Sequence, residues 1–179
     1  MIKSKRVVKK NLHNTEFISR VINVARVSKT TSGGRRMSVS VLVVIGNEDG
    51  VFGFGLGNAA EVKAAEEKAL RVAQNNLFAV PLKKIIDSGI SRKTIYHSGM
   101  SKYCSSKLFL ISAKPGTGIV AGPVVTAACE CLGITDIVVK LHGSSNPHNI
   151  IKAFSGAVLS LKSPDYYKYL RGINVAQNE

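Results

Sequence analysis

The residues best suited to binding another molecule lie in a short polar segment, residues 26–36, which combines positive charge with a glycine pair. Two adjacent glycines let the backbone turn tightly and lie against a flat partner. Arginine, lysine and hydroxyl side chains there can reach phosphates or 2′-hydroxyl groups. A solvated hairpin loop has a similar composition, but this density of cations favours RNA contact. The candidate RNA-binding residues are Arg26, Lys29, Gly33, Gly34, Arg35 and Arg36.

A second possible anion site is Ser144-Ser145-Asn146, which precedes Pro147 at the start of a predicted helix. Free backbone amides and the helix dipole favour an anion at such a position. A plain serine or asparagine N-cap explains the same residues equally well. We include all three residues, Ser144, Ser145 and Asn146, among the RNA-binding candidates, together with Lys102 and Lys107 from a basic stretch over residues 82–114.

Two glycine-rich motifs resemble nucleotide-binding sequences but lack the residues that such sites need. Residues 53–57 read GxGxG rather than GxGxxG, and no acidic ribose-binding residue follows a second strand. Residues 115–118 lack the Lys-Ser/Thr of a phosphate-binding loop. We interpret residues 53–57 as a strand whose bare glycine face allows another backbone to approach. We expect this face, including Gly55, to point away from the core.

Cysteines and histidines show no pattern that indicates a metal site or catalysis. Cys129 and Cys131 lie two residues apart on a predicted helix and therefore face different directions. The four histidines are scattered along the chain. We predict no metal, no cofactor, no small-molecule substrate and no enzymatic activity.

The charge of the chain predicts a polyanionic partner. Its formal net charge is +14 and its pI is about 9.9, and each phosphate that a cation neutralises releases counterions. The excess is concentrated in residues 1–36 and 82–114, which suggests two contact surfaces. An odd number of cysteines, 3, and no apolar run long enough to cross a bilayer predict a reducing intracellular compartment and no membrane association.

The pattern of the first half predicts three strands and a helix. Residues 20–27, 37–45 and 51–57 have strand-like alternation, and residues 46–50 have the composition of a hairpin turn. A helix is predicted to begin at Asn58, with Glu61 completing a capping box, and to end before Pro81.

The second half predicts a β–α–β–α unit, and the whole chain an α+β fold of two small domains. Strands are expected at 107–112 and 137–141, and helices at 122–133 and 147–161. The predicted organisation is a basic extension (1–16), a βββα domain (17–80), a basic connector (81–93), a C-terminal α/β domain (94–163) and a polar tail (164–179).

Several motifs in order resemble the small ribosomal subunit protein five family of bacteria and organelles, over about residues 17–164. They are Arg-Val-Ser-Lys at 26–29 with Gly33-Gly34-Arg35, Val-Phe-Gly-Phe-Gly at 51–55, Glu61-Val62, Pro-Gly-Thr-Gly at 115–118 with Ala121-Gly122, and Gly-Ser-Ser-Asn-Pro at 143–147. The chain departs from the family pattern at Asn58, Pro123 and Thr126, and has Cys104 and Ser106 where the family usually has glycines.

This resemblance implies a double-stranded-RNA-binding-like first domain and a second domain of the fold shared with galactokinase-type small-molecule kinases. It also implies that the protein acts in the ribosome, in the cytoplasm or an organellar matrix. The implied partners are small-subunit rRNA, ribosomal proteins four and eight, and the mRNA entry region, with an influence on head–body conformation and decoding accuracy. The glycine edge formed by Gly116, Gly118 and Gly122 is implied as a protein contact.

Two other functions remain open at this point. A free RNA-binding regulator would need only one RNA surface, whereas this chain has two basic segments. A small kinase would need acidic ligands for magnesium, and residues 115–179 contain only four acids, none in a recognisable motif.

Overall fold

The structure is a computed structural model that describes residues 16–87 and 90–172. The predicted basic extension lies outside the described residues except for Glu16, and so does the end of the predicted tail, residues 173–179. The elements are, in chain order, β1 (Ile18–Thr31), β2 (Gly34–Gly46), β3 (Val51–Ala59), α1 (Val62–Asn75), β4 (Phe78–Ala79), β5 (Lys83–Asp87), β6 (Ile90–Thr94), β7 (Gly99–Tyr103), β8 (Ser106–Ser112), β9 (Ile119–Val120), α2 (Pro123–Leu132), β10 (Ile137–Gly143), α3 (Pro147–Ser160) and α4 (Pro164–Leu170).

The N-terminal sheet is antiparallel with the strand order β1-β2-β3-β4, and α1 packs on one of its faces. The predicted βββα order and the α+β class are confirmed. The alternating apolar residues of β2 lie on the face of the sheet that carries α1, but the helix covers them only from Val39 onward. Met37, at the outer end, is 69% exposed, whereas four residues that follow are buried: Val39, Val41, Val43 and Ile45.

Strand β2 is buried on both faces, which the alternation did not predict. Leu42 and Val44 point away from α1 and join the core of the C-terminal half. Phe52 on β3 joins the same core, where its ring contacts Phe78 and Phe154 edge-on at centroid distances of 5.4 and 5.6 Å. Helix α1 therefore packs on one face of the sheet, and the second domain covers part of the other face.

The glycine face of β3 packs against α1, so the expectation that it points away from the core is wrong. Each buried glycine lies against a helix carbonyl: Gly53 against Ala73, Gly55 against Ala69 and Gly57 against Ala65. A Cβ at Gly55 would overlap the Ala69 carbonyl oxygen. The predicted close approach of another backbone is confirmed, but the backbone belongs to this domain's own helix.

The predicted start of α1 at Asn58 is also wrong. Asn58 lies in β3 and pairs with Ser40 of β2, and the helix begins at Val62 with Glu61 as an N-cap that makes no side-chain capping bond. Sheet pairing of the Asn58 backbone prevailed over a local capping pattern, because the pattern carries no information about the neighbouring strand.

Where a basic connector was expected over residues 81–93, β5 and β6 pair as an antiparallel hairpin that extends to Thr94. This hairpin stays close to the first domain. The Lys93 ammonium donates to the Glu48 carbonyl oxygen at 2.7 Å and to the Asp49 carboxylate at 3.0 Å. Residues 82–95 therefore help to hold the two halves of the chain together.

The C-terminal sheet has the strand order β7-β8-β10-β9, with β9 parallel to β10 and the other pairs antiparallel. The strands expected at 107–112 and 137–141 are confirmed, whereas β7 and the short β9 were not predicted. Helix α2 has the expected bounds, with Gly122 as N-cap, Pro123 in the first turn and Gly133 at a φ of 85° after its end. Helices α2 and α3 pack with buried residues of one sheet face in a single core.

The bounds of helix α3 agree with the prediction to within one residue. The segment after it, which was expected to be a polar tail, contains a further helix. Pro164 was expected only to stop α3; instead it begins α4, whose N-cap Ser163 accepts a hydrogen bond from the Tyr166 amide at 3.3 Å. No helix in the described part of the chain is long and apolar enough to cross a membrane.

The two halves meet through backbone hydrogen bonds as well as the shared core. The β2–β3 turn inserts against the C-terminal end of α2, where the Glu48 amide donates to the Cys131 carbonyl and the Gly50 amide to the Leu132 carbonyl, both at 3.0 Å. A Cβ at Gly133 would overlap the Glu48 carbonyl oxygen. Because only glycine fits there, the end of α2 can approach the turn this closely.

Candidate RNA-binding surfaces

Residues 28–36, between the strands predicted at 20–27 and 37–45, were expected to form a loop, but most of them are paired and form the tip of a long hairpin. Strands β1 and β2 remain paired up to Thr31 and Gly34, which leaves a two-residue turn. The Thr31 hydroxyl donates to the Gly34 carbonyl oxygen at 2.9 Å. Gly33 lies in this turn, and Gly34, the first residue of β2, has a φ of 121°. A Cβ at either glycine would meet no atom within 4 Å. The glycine pair therefore turns the chain and presents bare backbone.

Strand register divides the hairpin cations between its two faces. Lys29 lies directly opposite Arg36, so these two side chains share a face. Arg35 is opposite Thr30, and Arg26 is opposite Val39, so both arginines lie on the other face, in line with the residues that pack on α1. All four cations are exposed. The hairpin tip thus presents positive charge in both directions.

None of these four cations forms an ion pair within residues 16–87 and 90–172. By contrast, three cations near the domain junction have carboxylate partners: Arg20 with Glu130, and Lys84 and Lys93 with Asp49. Hydrogen bonds to Lys93 and Lys84 lower the pKa of Asp49. The positive charges of Arg20, Lys84 and Lys93 at the domain junction are therefore paired with carboxylates, whereas, among the described residues, those at the hairpin tip are not.

Lys102 and Lys107 lie on the C-terminal sheet, not on the hairpin. They are direct cross-strand partners on β7 and β8 and are exposed on the face opposite α2 and α3. The Lys107 ammonium lies 5.0 Å from the centroid of the Phe109 ring, a cation–π arrangement. Sequence reasoning missed Phe109, although the alternation of residues 106–111 places it on the same face as Lys107.

The backbone amides at the start of α3 already have hydrogen-bond acceptors within the helix and its N-cap. The Asn146 side chain accepts from the His148 amide at 3.1 Å, and the next two amides, of Asn149 and Ile150, donate to the Asn146 carbonyl at 3.0 Å. The plain N-cap is therefore present, and it uses the amides that an anion would need. RNA contact by Ser144, Ser145 and Asn146 stays a prediction, and such contact would have to be made by their side chains rather than by the helix amides.

Comparisons with known proteins show the family to which the chain is related. Residues 17–81 match the family model "Ribosomal protein S5, N-terminal domain", and residues 101–171 match "Ribosomal protein S5, C-terminal domain". The small ribosomal subunit protein uS5 of Porphyromonas gingivalis is 40% identical over 93% of this chain and 92% of its own length. The uS5 protein of Ehrlichia canis is 44% identical over 88% of each chain.

This chain belongs to the ribosomal protein S5 family. The predicted family is thereby confirmed, and so is the prediction that the protein is not an enzyme, because uS5 proteins are structural, non-enzymatic proteins of the ribosome. The small-kinase alternative is excluded on the same ground.

The glycine edge of this S5-family chain is hydrogen-bonded to a buried carboxylate, that of Asp136. Asp136 is 1% exposed and accepts from the Gly118 amide at 2.9 Å and the Thr135 hydroxyl at 3.0 Å. Desolvation alone would raise the pKa of Asp136, but these hydrogen bonds and the charge of Arg92 outweigh it, and the pKa lies below its ordinary value. A Cβ at the glycines of this edge would meet nothing within 4 Å, namely at Gly116, Gly118 and Gly122.

Two cysteines of this S5-family chain, Cys129 and Cys131, are buried and unreactive. Burial raises the pKa of Cys131 to about 11 and that of Cys129 further still, so neither is a thiolate at neutral pH. Within the part of the chain that the structure describes, no group of three or more histidine, cysteine, aspartate or glutamate residues could hold a metal ion. The exposed Cys104 adopts a φ of 49°, which a glycine adopts more easily.

Proposed function

We propose that this protein is a structural component of the small ribosomal subunit and that the tip of its β1–β2 hairpin binds ribosomal RNA. The observation that carries the proposal is the direct opposition of Lys29 and Arg36 without an acidic partner in the described residues. Like charges directly opposite each other destabilise a strand pair. A phosphate backbone removes this repulsion and releases counterions on binding.

The same tip supports contact on both of its faces. Because Arg26 and Arg35 point to one side and Lys29 and Arg36 to the other, the hairpin suits insertion between two RNA segments rather than docking on one flat surface. Gly33 and Gly34 add backbone that no side chain shields. Phosphate contacts of this kind position a protein without reading sequence.

Binding of deproteinised small-subunit rRNA across a salt titration tests this function. Lys29→Ala combined with Arg35→Ala is expected to weaken binding and to lower the slope of log affinity against log salt by about one to two. Lys168→Ala with Arg171→Ala, which removes two exposed cations from the other end of the chain, is the matched control and should leave the slope unchanged. Equal slopes for both double variants would contradict a phosphate-binding hairpin.

We also propose the finer roles that family membership suggests: contact with ribosomal proteins four and eight, a place beside the mRNA entry region, and support of head–body conformation and decoding accuracy. The unobstructed backbone of Gly116, Gly118 and Gly122 supports a protein contact at the glycine edge. Co-sedimentation with small subunits after a high-salt wash tests incorporation. A protein that stays outside the small-subunit peak would instead be a free RNA-binding regulator.

We infer that the predicted domains, residues 17–80 and 94–163, act as one rigid unit. The turn at Glu48 and Gly50 is bonded to the end of α2, and Phe52 packs against Phe154 across the junction. A rigid junction would hold the hairpin tip and the glycine edge at a constant separation, which a structural protein that bridges RNA and protein partners requires.

A further inference from the structure

The face of the C-terminal sheet that points away from α2 and α3, here called the outer sheet face, is open and basic. Its basic row consists of Lys102, Lys107 and His142, aligned across β7, β8 and β10 by direct pairing. All three are exposed. The four strands of this sheet contain no aspartate or glutamate, so nothing within the sheet neutralises the row.

The adjacent row of the outer sheet face places an aromatic ring between a thioether and a further lysine. Met100, Phe109 and Lys140 are aligned across the same three strands. The Phe109 and His142 rings stand edge to face, with centroids 5.5 Å apart and an interplanar angle of 88°. Beside them lies a groove of about 480 Å³ lined by residues of all three strands. Aromatic rings beside cations on an open sheet are the arrangement by which proteins bind unpaired nucleic acid.

The next row of the outer sheet face is apolar, which indicates that a partner covers it. Ile111 and Val120 are 44% and 46% exposed, and Val138 lies between them in the pairing. A contiguous apolar patch beside polar residues marks a contact surface. The faces of unpaired bases can pack on this row and remove it from water.

We propose that the outer sheet face binds an unpaired segment of ribosomal RNA, with a base stacked on Phe109 and phosphates held by Lys102, Lys107 and Lys140. The Lys107 ammonium, which now lies over the Phe109 ring, moves to a phosphate as the base takes its place. The identity of this RNA rests on the proposed function, but the surface itself is separate from the β1–β2 hairpin.

Fluorescence anisotropy of the full chain with a labelled 12-nucleotide oligouridylate, and with a blunt RNA duplex of equal length, tests this surface. Phe109→Leu keeps an apolar side chain and removes the ring, and it is expected to weaken single-strand binding about tenfold. Lys140→Ala is expected to lower the salt slope by about 0.7. Lys168→Ala serves as the control, and circular dichroism melting verifies that each variant is folded.

The Lys29→Ala and Arg36→Ala double variant separates this inference from the hairpin function. It is expected to retain oligouridylate binding while it loses affinity for whole rRNA. Loss of oligouridylate binding in this variant, or equal affinity of this variant for duplex and single strand, would overturn the inference. Unchanged binding by Phe109→Leu would also overturn it and leave the face to a protein partner.

Ultraviolet crosslinking of reconstituted small subunits without messenger distinguishes the source of the RNA. A crosslink between the peptide containing Phe109 and rRNA is the expected result. A crosslink that forms only after messenger is added would overturn the assignment to a resident ribosomal segment.

Discussion

Lys29 on β1 and Arg36 on β2 are direct cross-strand partners near the tip of the hairpin, so two like charges face each other across one strand pair. Opposite charges at such a position stabilise a pair by about 0.2–1 kcal/mol, and like charges destabilise it. The pair therefore destabilises the free hairpin. A polyanion bound between the two side chains would remove this repulsion.

Lys29→Glu is therefore expected to stabilise the free hairpin and weaken RNA binding. Hydrogen exchange of the backbone amides in residues 28–37 should slow, while affinity for rRNA falls. Lys29→Gln, which removes the repulsion without adding attraction, should give intermediate protection. Faster exchange in Lys29→Glu than in the native protein would contradict this explanation of the pair.

Gly55→Val is expected to destabilise the fold itself. The new side chain would collide with the Ala69 carbonyl oxygen and the Ala73 amide of α1, and overpacking of this kind costs about 1–3 kcal/mol. Urea unfolding of the isolated protein measures the loss. Leu56→Val, on the neighbouring residue whose side chain is 45% exposed on the other face, is the control and should change little. Native stability with defective ribosome assembly would restore the view that the glycine face is an external contact.

Asp136→Asn is expected to cost about 1–3 kcal/mol at pH 7, because it weakens the acceptor for the Gly118 amide and the Thr135 hydroxyl. The pKa of Asp136 is lowered in the folded state, so the carboxylate stabilises the fold above its ordinary pKa of 3.8 and loses this effect as pH falls through the lower folded value. The difference in unfolding free energy between native and variant protein should therefore shrink below about pH 3.8. A constant difference down to pH 2 would contradict the assignment.

Cys104→Gly is expected to raise the free energy of unfolding by about 1 kcal/mol, because the residue has a φ of 49° and a non-glycine residue pays roughly 1–2 kcal/mol there. Thermal unfolding measures the gain. Cys104→Ala keeps the Cβ and removes only the thiol, so it should show no comparable increase. An equal gain in both variants would assign the effect to the thiol rather than to the backbone.

Gly118→Arg is expected to leave subunits assembled and to change their miscoding rate. The residue has a φ of 73° and open space at its Cβ position, so the substitution strains the backbone and places a bulky charge on the glycine edge. A reporter for near-cognate misreading measures the effect, and Thr117→Ser on the neighbouring residue is the mild control. Normal error rates in fully assembled variant subunits would exclude this edge from decoding accuracy.

The sequence determined those parts of the fold that depend on local chemistry. Helix α2 begins and ends where Gly122, Pro123 and Gly133 predict it, because a proline in the first turn and a glycine after the end act through their own backbone angles. The β2 alternation and the following turn were predictable for the same reason. The family motifs likewise predicted the ribosomal protein S5 family, which the comparisons confirm.

Tertiary structure alone decided what depends on a partner distant in the chain. The Asn58 capping pattern failed because β2 pairs with that backbone, and the direction of the Gly55 face depended on which side of the sheet α1 packs. Strand register separated the hairpin cations into two faces and brought Phe109 beside His142. Composition shows that charge and glycine are present, but only the pairing of distant strands decides which side chains share a surface.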